Sequence, residues 1–149
     1  MSPVASTFEI SAESQSLAPL RSKLRGLLGS AGFDTRSVHD ILLSVDEVLT
    51  NVIRHGLGGS ANGGSKGKIS ISFSDKGDRV EIQVEDPGPC FDPRTLPAPK
   101  LPSEKPGGLG IYLVRSLMDE IDYEPLKPQG NRLRLVKYKK RKGERTSKL

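Results

Sequence analysis

Hydrophobic and polar residues recur along this chain with two different periods. Between residues 35 and 55 the apolar positions Val38, Ile41, Leu42, Val45, Leu49, Val52 and Ile53 return every three or four residues, which predicts one broad helix face. Asp34 or Thr35 stands where its cap belongs. The opposite side carries Ser44, Glu47, Asn51 and His55 in a line. Upstream, Leu17, Leu20, Leu24, Leu27 and Leu28 predict a helix from about Ser14 to Ala31, with Gly32 to end it. FEIS near residue 8 reads as a strand before that helix.

Beyond these helices the period changes to two. In KISISFS and RVEIQVE, Ile69, Ile71 and Phe73, then Val80, Ile82 and Val84, alternate with polar residues around DKGD, which predicts an antiparallel hairpin. LGIYLVRSLMDE returns to helical spacing with Ile111, Val114, Leu117 and Met118 inward, and IDYEPL and NRLRLVKYK form a second hairpin around KPQG. GLGGSANGGSKG, residues 56–67, suits only a loop. Pro87 to Pro106 holds seven prolines in twenty residues, so neither helix nor interior strand is expected there, and a functional lid or disorder is. The order β, α, α, β, β, loop, α, β, β predicts an α+β fold: a two-layer sandwich whose mixed, mostly antiparallel sheet carries helices on one face. No internal repeat is present.

Length changes this picture little: 149 residues make one domain spanning 1–149. No run approaches the roughly 18 apolar residues of a membrane span. MSPVASTFEI has neither a basic start nor an apolar block, so no secretory signal is expected. Cys90 is the single cysteine, which excludes an internal disulfide and a cysteine metal cluster and fits a reducing compartment. The cytoplasm is the expected location. The formal net charge of +5 sits at one end: residues 137–149 hold seven Lys or Arg against Glu144, leaving 16 basic and 17 acidic residues before them. A basic, solvated tail from about residue 139 is expected, with nonspecific nucleic-acid binding as its alternative.

Three segments could carry chemistry. Glu47 and Asn51 are one helical turn apart and can reach one ligand, although such a pair on a polar helix face is ordinarily just solvated. In VEDPGPCFDP, Asp86 falls at a strand end and Gly88 follows where backbone can approach a ligand closely; the plainer reading of Asp86 is a turn residue. KPGGLGIYLV sets Gly107, Gly108 and Gly110 before a helix whose unpaired N–H groups suit phosphate, or simply makes a hinge. Neither GxxxxGK[ST] nor a GxGxxG after a strand is present.

In this order, E-x-x-x-N on a helix, D-x-G at a strand end, a long lid and GLG before a helix resemble the GHKL (Bergerat-fold) ATPases. DEVLTNVIRHG, DPGPCFDP and GGLGIYLVRSLMDEIDYE resemble the small bacterial anti-sigma factor serine kinases within that superfamily, over roughly Asp34 to Tyr138. The resemblance implies an ATP site in which Asn51 ligates Mg²⁺, Asp86 meets the adenine amino group and Gly88 lets the base pack close. It implies Gly108, Leu109 and Gly110 at the phosphates under the lid, and Glu47 as the general base toward a partner's serine. Arg54 and His55, one turn further on, are secondary candidates at the phosphates, or a solvated helix end. The implied partners are a sigma factor and an anti-anti-sigma (STAS-type) protein. A homodimer is expected, and membrane and nucleic acid are not.

The family's D-x-G-x-G has Cys90 at its second glycine, where a backbone needing positive φ would cost cysteine on the order of 1 kcal/mol. A nucleotide-gated or catalytically weak binding protein of the same fold is therefore the alternative. A stand-alone histidine-kinase ATPase domain is the other, but His39 and His55 both fall within the helix of the catalytic domain itself rather than on a dimerisation helix.

Overall fold

The computed structural model describes residues 4–57, 67–95 and 110–140. The loop expected at 56–67 falls largely outside them, as do the greater part of the expected lid, residues 96–109, and the tail from 141.

Strand β1, Val4–Ser11, leads through a short 3-10 turn at Ser14–Ser16 into helix α1, Leu17–Ser30. Helical spacing puts Leu17, Leu20, Leu24 and Leu28 on one buried stripe. The helix stops at Gly32, whose φ of 98° is a left-handed conformation open to glycine at no steric cost. Asp34 then caps helix α2, Thr35–Asn51, its Oδ1 accepting the Ser37 N–H at 2.7 Å. That hydrogen bond, supplied by an orphan amide of the first turn, holds the Asp34 carboxyl below its ordinary range.

Two features of α2 depart from expectation. Ser44, placed by its polarity on the solvent line, is fully buried, and its hydroxyl donates to the Asp40 carbonyl at 2.9 Å. A short hydroxyl that bonds back into its own helix can enter a core without leaving an unpaired group. Val48, apolar but absent from the expected stripe, is buried as well. After Asn51 the helix widens into a π-type turn, Val52–Leu57.

The sheet contains β1, β2 (Lys68–Asp75), β3 (Arg79–Asp86), β4 (Glu120–Pro125) and β5 (Asn131–Tyr138) in the order β1-β2-β3-β5-β4. Every pairing among the described strands is antiparallel, where a mixed sheet was expected. Gly77 at φ 98° closes the β2–β3 hairpin, and Gly130 at φ 125° closes β4–β5 after a cis Lys127–Pro128 bond. One face of the sheet, with Ile69, Ile71, Phe73, Val80, Ile82, Val84, Leu133 and Leu135, joins α1, α2 and helix α3, Gly110–Leu117, in one core. Ile111 and Val114 of α3 point inward as expected, with Met118 just beyond it; Leu117 is half-buried.

The other face is polar and charge-paired. Arg132 bridges Glu85 and Glu124, each at 2.6 Å, and Arg134 bridges Glu81 at 3.0 Å and Asp122 at 2.5 Å. The first residues of the expected tail are tied to the body: Lys139 donates its N–H to the Asp78 carbonyl at 2.9 Å and its Nζ meets Asp75 at 2.7 Å, while Lys140 reaches Asp34 at 3.4 Å.

Candidate functional site

A cavity of about 450 Å³ opens between the C-terminal end of α2, the start of α3 and the ends of β3 and β5. Its walls are mainly apolar, from Val48, Val52, Val84, Ile111 and Leu133, and its polar groups are Asn51, Asp86, Tyr123 and Asn131. An apolar slot with a few convergent polar groups is the form taken by small-molecule sites of drug-like size.

Asp86 ends β3 and is only 6% exposed. Its Oδ1 accepts from Gly88 N–H at 2.8 Å and from Asn131 Nδ2 at 3.1 Å. Among the described residues no donor engages Oδ2, so the carboxylate offers the cavity an acceptor for an N–H group. Gly88, buried, supplies through its amide the bond that turns Asp86.

Asn51 lines the cavity at the last residue of α2, where the π-type turn begins. Glu47, one turn earlier, is half-buried and stands outside the cavity lining. The two meet at Gly110, the first residue of α3. A Cβ on Gly110 would lie 2.8 Å from Glu47 Oε2 and 3.4 Å from Asn51 Nδ2. Glycine here leaves room for those two side chains: a Cβ would push the end of the flexible Glu47 side chain away from the start of α3. Gly108 and Leu109 lie outside the described residues. Arg54 is exposed at the π-type turn.

The donor set suits one divalent cation chemistry and not another. Among the described residues no group of three or more His, Cys, Asp or Glu could hold a metal, so a protein-built cage is out of place. Mg²⁺ keeps phosphates and waters in most of its octahedral positions and takes one or two protein oxygens, which an amide at Asn51 fits.

Sequence reasoning missed the residue that organises the far wall. Asn131, at the start of β5, accepts at Oδ1 from the Tyr123 hydroxyl (2.6 Å) and the Phe91 N–H (2.8 Å), and donates from Nδ2 to Asp86 Oδ1 (3.1 Å) and the Pro89 carbonyl (2.9 Å). Burial, and after it the proximity of Cys90, pushes the Tyr123 phenol above its ordinary range, which keeps it a donor. Within the sequence only the strand-turn position of Asn131 after Gly130 was visible, and that carries no sign of such a hub.

Cys90 does not sit at positive φ, since no described non-glycine residue does. Its thiol donates to the Gly130 carbonyl at 3.2 Å and lies 3.7 Å from the Leu126 carbonyl. The backbone strain expected from losing a glycine there is absent, because the backbone at Cys90 stays in the ordinary negative-φ region, and the side chain finds acceptors on the β4–β5 turn.

The profile of the histidine kinase-like ATPase domain family matches residues 10–137. The chain belongs to that family. The chain is similar to serine-protein kinases RsbW, being 32% identical over 122 residues to the one from Bacillus velezensis, which covers 76% of this chain and 73% of the relative. It is 28% identical over 123 residues to that of Listeria innocua, with 77% and 76% covered. Against that of Staphylococcus aureus it is 29% identical over 146 residues, with 93% and 89% covered. The likeness therefore spans most of both chains and sets this member of the histidine kinase-like family among the RsbW serine-protein kinases. The fold also matches the crystal structure of the RsbU and RsbW domains of Rv1364c from Mycobacterium tuberculosis at a TM-score of 0.62 and 22% identity. That match covers 93% of this chain but 32% of the solved one, so the chain spans about a third of that longer protein.

Proposed function

We infer that this protein is an ATP-dependent serine kinase that phosphorylates an anti-anti-sigma partner and sequesters a sigma factor. The observation that supports it most is the meeting of Asp86 and Asn51 in one apolar cavity, with Glu47 a turn away against Gly110. In this reading the adenine lies between the apolar walls, and its amino group donates to Asp86 Oδ2. Guanine would present a carbonyl oxygen to the same carboxylate, so the site favours ATP. The first-turn amides of α3, beside the cavity, would face the triphosphate.

Asn51 contributes an oxygen to Mg²⁺, which when bound neutralises charge on the phosphates. Glu47 orients the serine hydroxyl of the partner and takes its proton. The serine Oγ forms a bond to the γ-phosphorus as the bond from that phosphorus to the β–γ bridging oxygen breaks, and ADP leaves with that electron pair. Serine is a weak nucleophile at neutral pH, which is why a carboxylate is needed within reach. A cytoplasmic homodimer is the expected form; separately, among the described residues no helix is long and apolar enough to cross a membrane.

The test is phosphoryl transfer from radiolabelled ATP to a purified STAS-type serine protein. Glu47→Gln keeps shape and removes only the base, so transfer should fall roughly 10²–10⁴-fold with ATP binding retained. A Glu47→Gln protein that transfers at the wild-type rate overturns the role of Glu47, and no transfer by wild type to any STAS-type serine protein overturns the kinase reading.

A further inference from the structure

The segment that follows β3 is held by a hairpin 40 residues away in sequence. Gln129 Nε2 donates to the Pro87 carbonyl at 2.7 Å, Asn131 Nδ2 to the Pro89 carbonyl at 2.9 Å, and the Cys90 thiol to the Gly130 carbonyl at 3.2 Å. In return Phe91 N–H donates to Asn131 Oδ1 at 2.8 Å. The β4–β5 turn thus clasps residues 87–91 along their whole length. Asn131 is the centre of the clasp, because it alone also bonds Asp86.

Its amide can sit only one way round. Phe91 N–H is a donor and fixes the oxygen; the Pro89 carbonyl is an acceptor and fixes the NH₂ group. With Tyr123 on the second oxygen lone pair and Asp86 Oδ1 on the second N–H, the side chain uses all four of its positions. A saturated amide cannot rotate to serve a ligand. It serves Asp86 instead: by occupying Oδ1 together with Gly88 N–H, it turns the carboxylate so that Oδ2 is the oxygen left for the cavity.

We propose that Asn131 is a positioning residue for nucleotide selectivity, which by holding Asp86 Oδ1 presents Oδ2 as a fixed, acceptor-only group to the exocyclic position of a purine. The inference rests on the reading of Asp86 as the acceptor for the adenine amino group. Without the Asn131 donor, the carboxylate keeps one bond, from Gly88, and can turn about its Cβ–Cγ axis, so the acceptor is no longer held at one point. A rotating or water-bridged carboxylate tolerates either an amino group or a carbonyl at that position, and the preference for ATP over GTP collapses.

The experiment is calorimetric titration of ATP and of GTP into wild type, Asn131→Ala, Asn131→Asp and Asp86→Asn, each checked by thermal unfolding. Asn131→Asp keeps both acceptor bonds, to Tyr123 and Phe91, and exchanges the NH₂ group, with its bonds to Asp86 and the Pro89 carbonyl, for an oxygen that can donate to neither, so it remains informative if the alanine variant fails to fold. The folded Asn131 variants should lose about tenfold to hundredfold in ATP affinity and bring the ATP-to-GTP ratio close to one, the size of effect expected for a charge-assisted hydrogen bond. A merely structural role would lower the unfolding midpoint and weaken both nucleotides in parallel, leaving the ratio intact, and that result overturns the proposal. Loss of selectivity in Asp86→Asn with undisturbed selectivity in Asn131→Asp overturns the proposal alone. Undisturbed ATP binding in Asp86→Asn overturns the reading of Asp86 on which it rests.

Discussion

Gly110 shows how much one hydrogen in place of a methyl can decide. A side chain there would put its Cβ 2.8 Å from Glu47 Oε2, well inside contact distance, and 3.4 Å from Asn51 Nδ2. The carboxylate is the end of a flexible side chain, so it would swing aside rather than break the fold. Gly110→Ala should therefore leave stability within about 1 kcal/mol of wild type while phosphoryl transfer drops at least about tenfold, since displacement of a base by an ångström costs reaction geometry before it costs packing. Transfer rates of the alanine variant equal to wild type, with urea midpoints also equal, would show that Glu47 need not stay where Gly110 lets it lie. At this scale the sequence was only partly legible. Glu47, Asn51 and Asp86 each read alone as solvated or turn residues and stood out only through the resemblance that E-x-x-x-N, D-x-G and GLG carry in combination, whereas Ser44 was misplaced because a serine's polarity hides its capacity to bond into its own helix.

Elements were more legible than residues. Asp34 before a helix, DKGD between alternating runs and Gly32 after a leucine stripe are local signals, and the structure places a cap, a hairpin and a helix end at them. The clasp around Asn131 is not local: its partners Asp86, Pro89 and Phe91 lie 40 or more residues away, and no periodicity in β5 marks it. The widening after Asn51 was equally invisible, because a π-type turn adds one residue to a helix without altering its composition. On the outer face of the sheet, the hydrogen bond from Arg134 and then that from Arg79 hold the Glu81 carboxyl below its ordinary 4.5. A depressed folded value means this contribution to stability is fully present above the unfolded value and is lost as pH falls through the folded one. Glu81→Gln should destabilise by about 1–2 kcal/mol at pH 7. Urea unfolding repeated at progressively lower pH should show the gap between variant and wild type closing below the unfolded value of 4.5, and a gap of constant size across that range would rule out the ion pairs as its source.

At the scale of the whole molecule, the core and the cavity share side chains. One face of a five-stranded antiparallel sheet and three helices form the core, and the cavity opens at its rim, where α2 and β3 end and α3 and β5 begin, so Val48, Val84, Ile111 and Leu133 belong to both. The fold class was readable from element order because two hairpins and three amphipathic helices leave few ways to bury one face each. That every described strand pairs antiparallel, and that Asn51, Asp86 and the Tyr123–Asn131 pair, each 35 or more residues from the next along the chain, meet in one cavity, carries no local signal in the sequence. The account depends above all on Asp86 acting as the acceptor for a purine amino group. Calorimetric binding of Mg·ATP and Mg·GTP to wild type and to Asp86→Asn tests it directly. Wild type should prefer ATP, and Asp86→Asn should lose roughly 1.5–3 kcal/mol of ATP binding, the value of a charge-assisted hydrogen bond, with its fold intact. Equal affinities of wild type for the two nucleotides, or an unchanged ATP affinity in the variant, would contradict it.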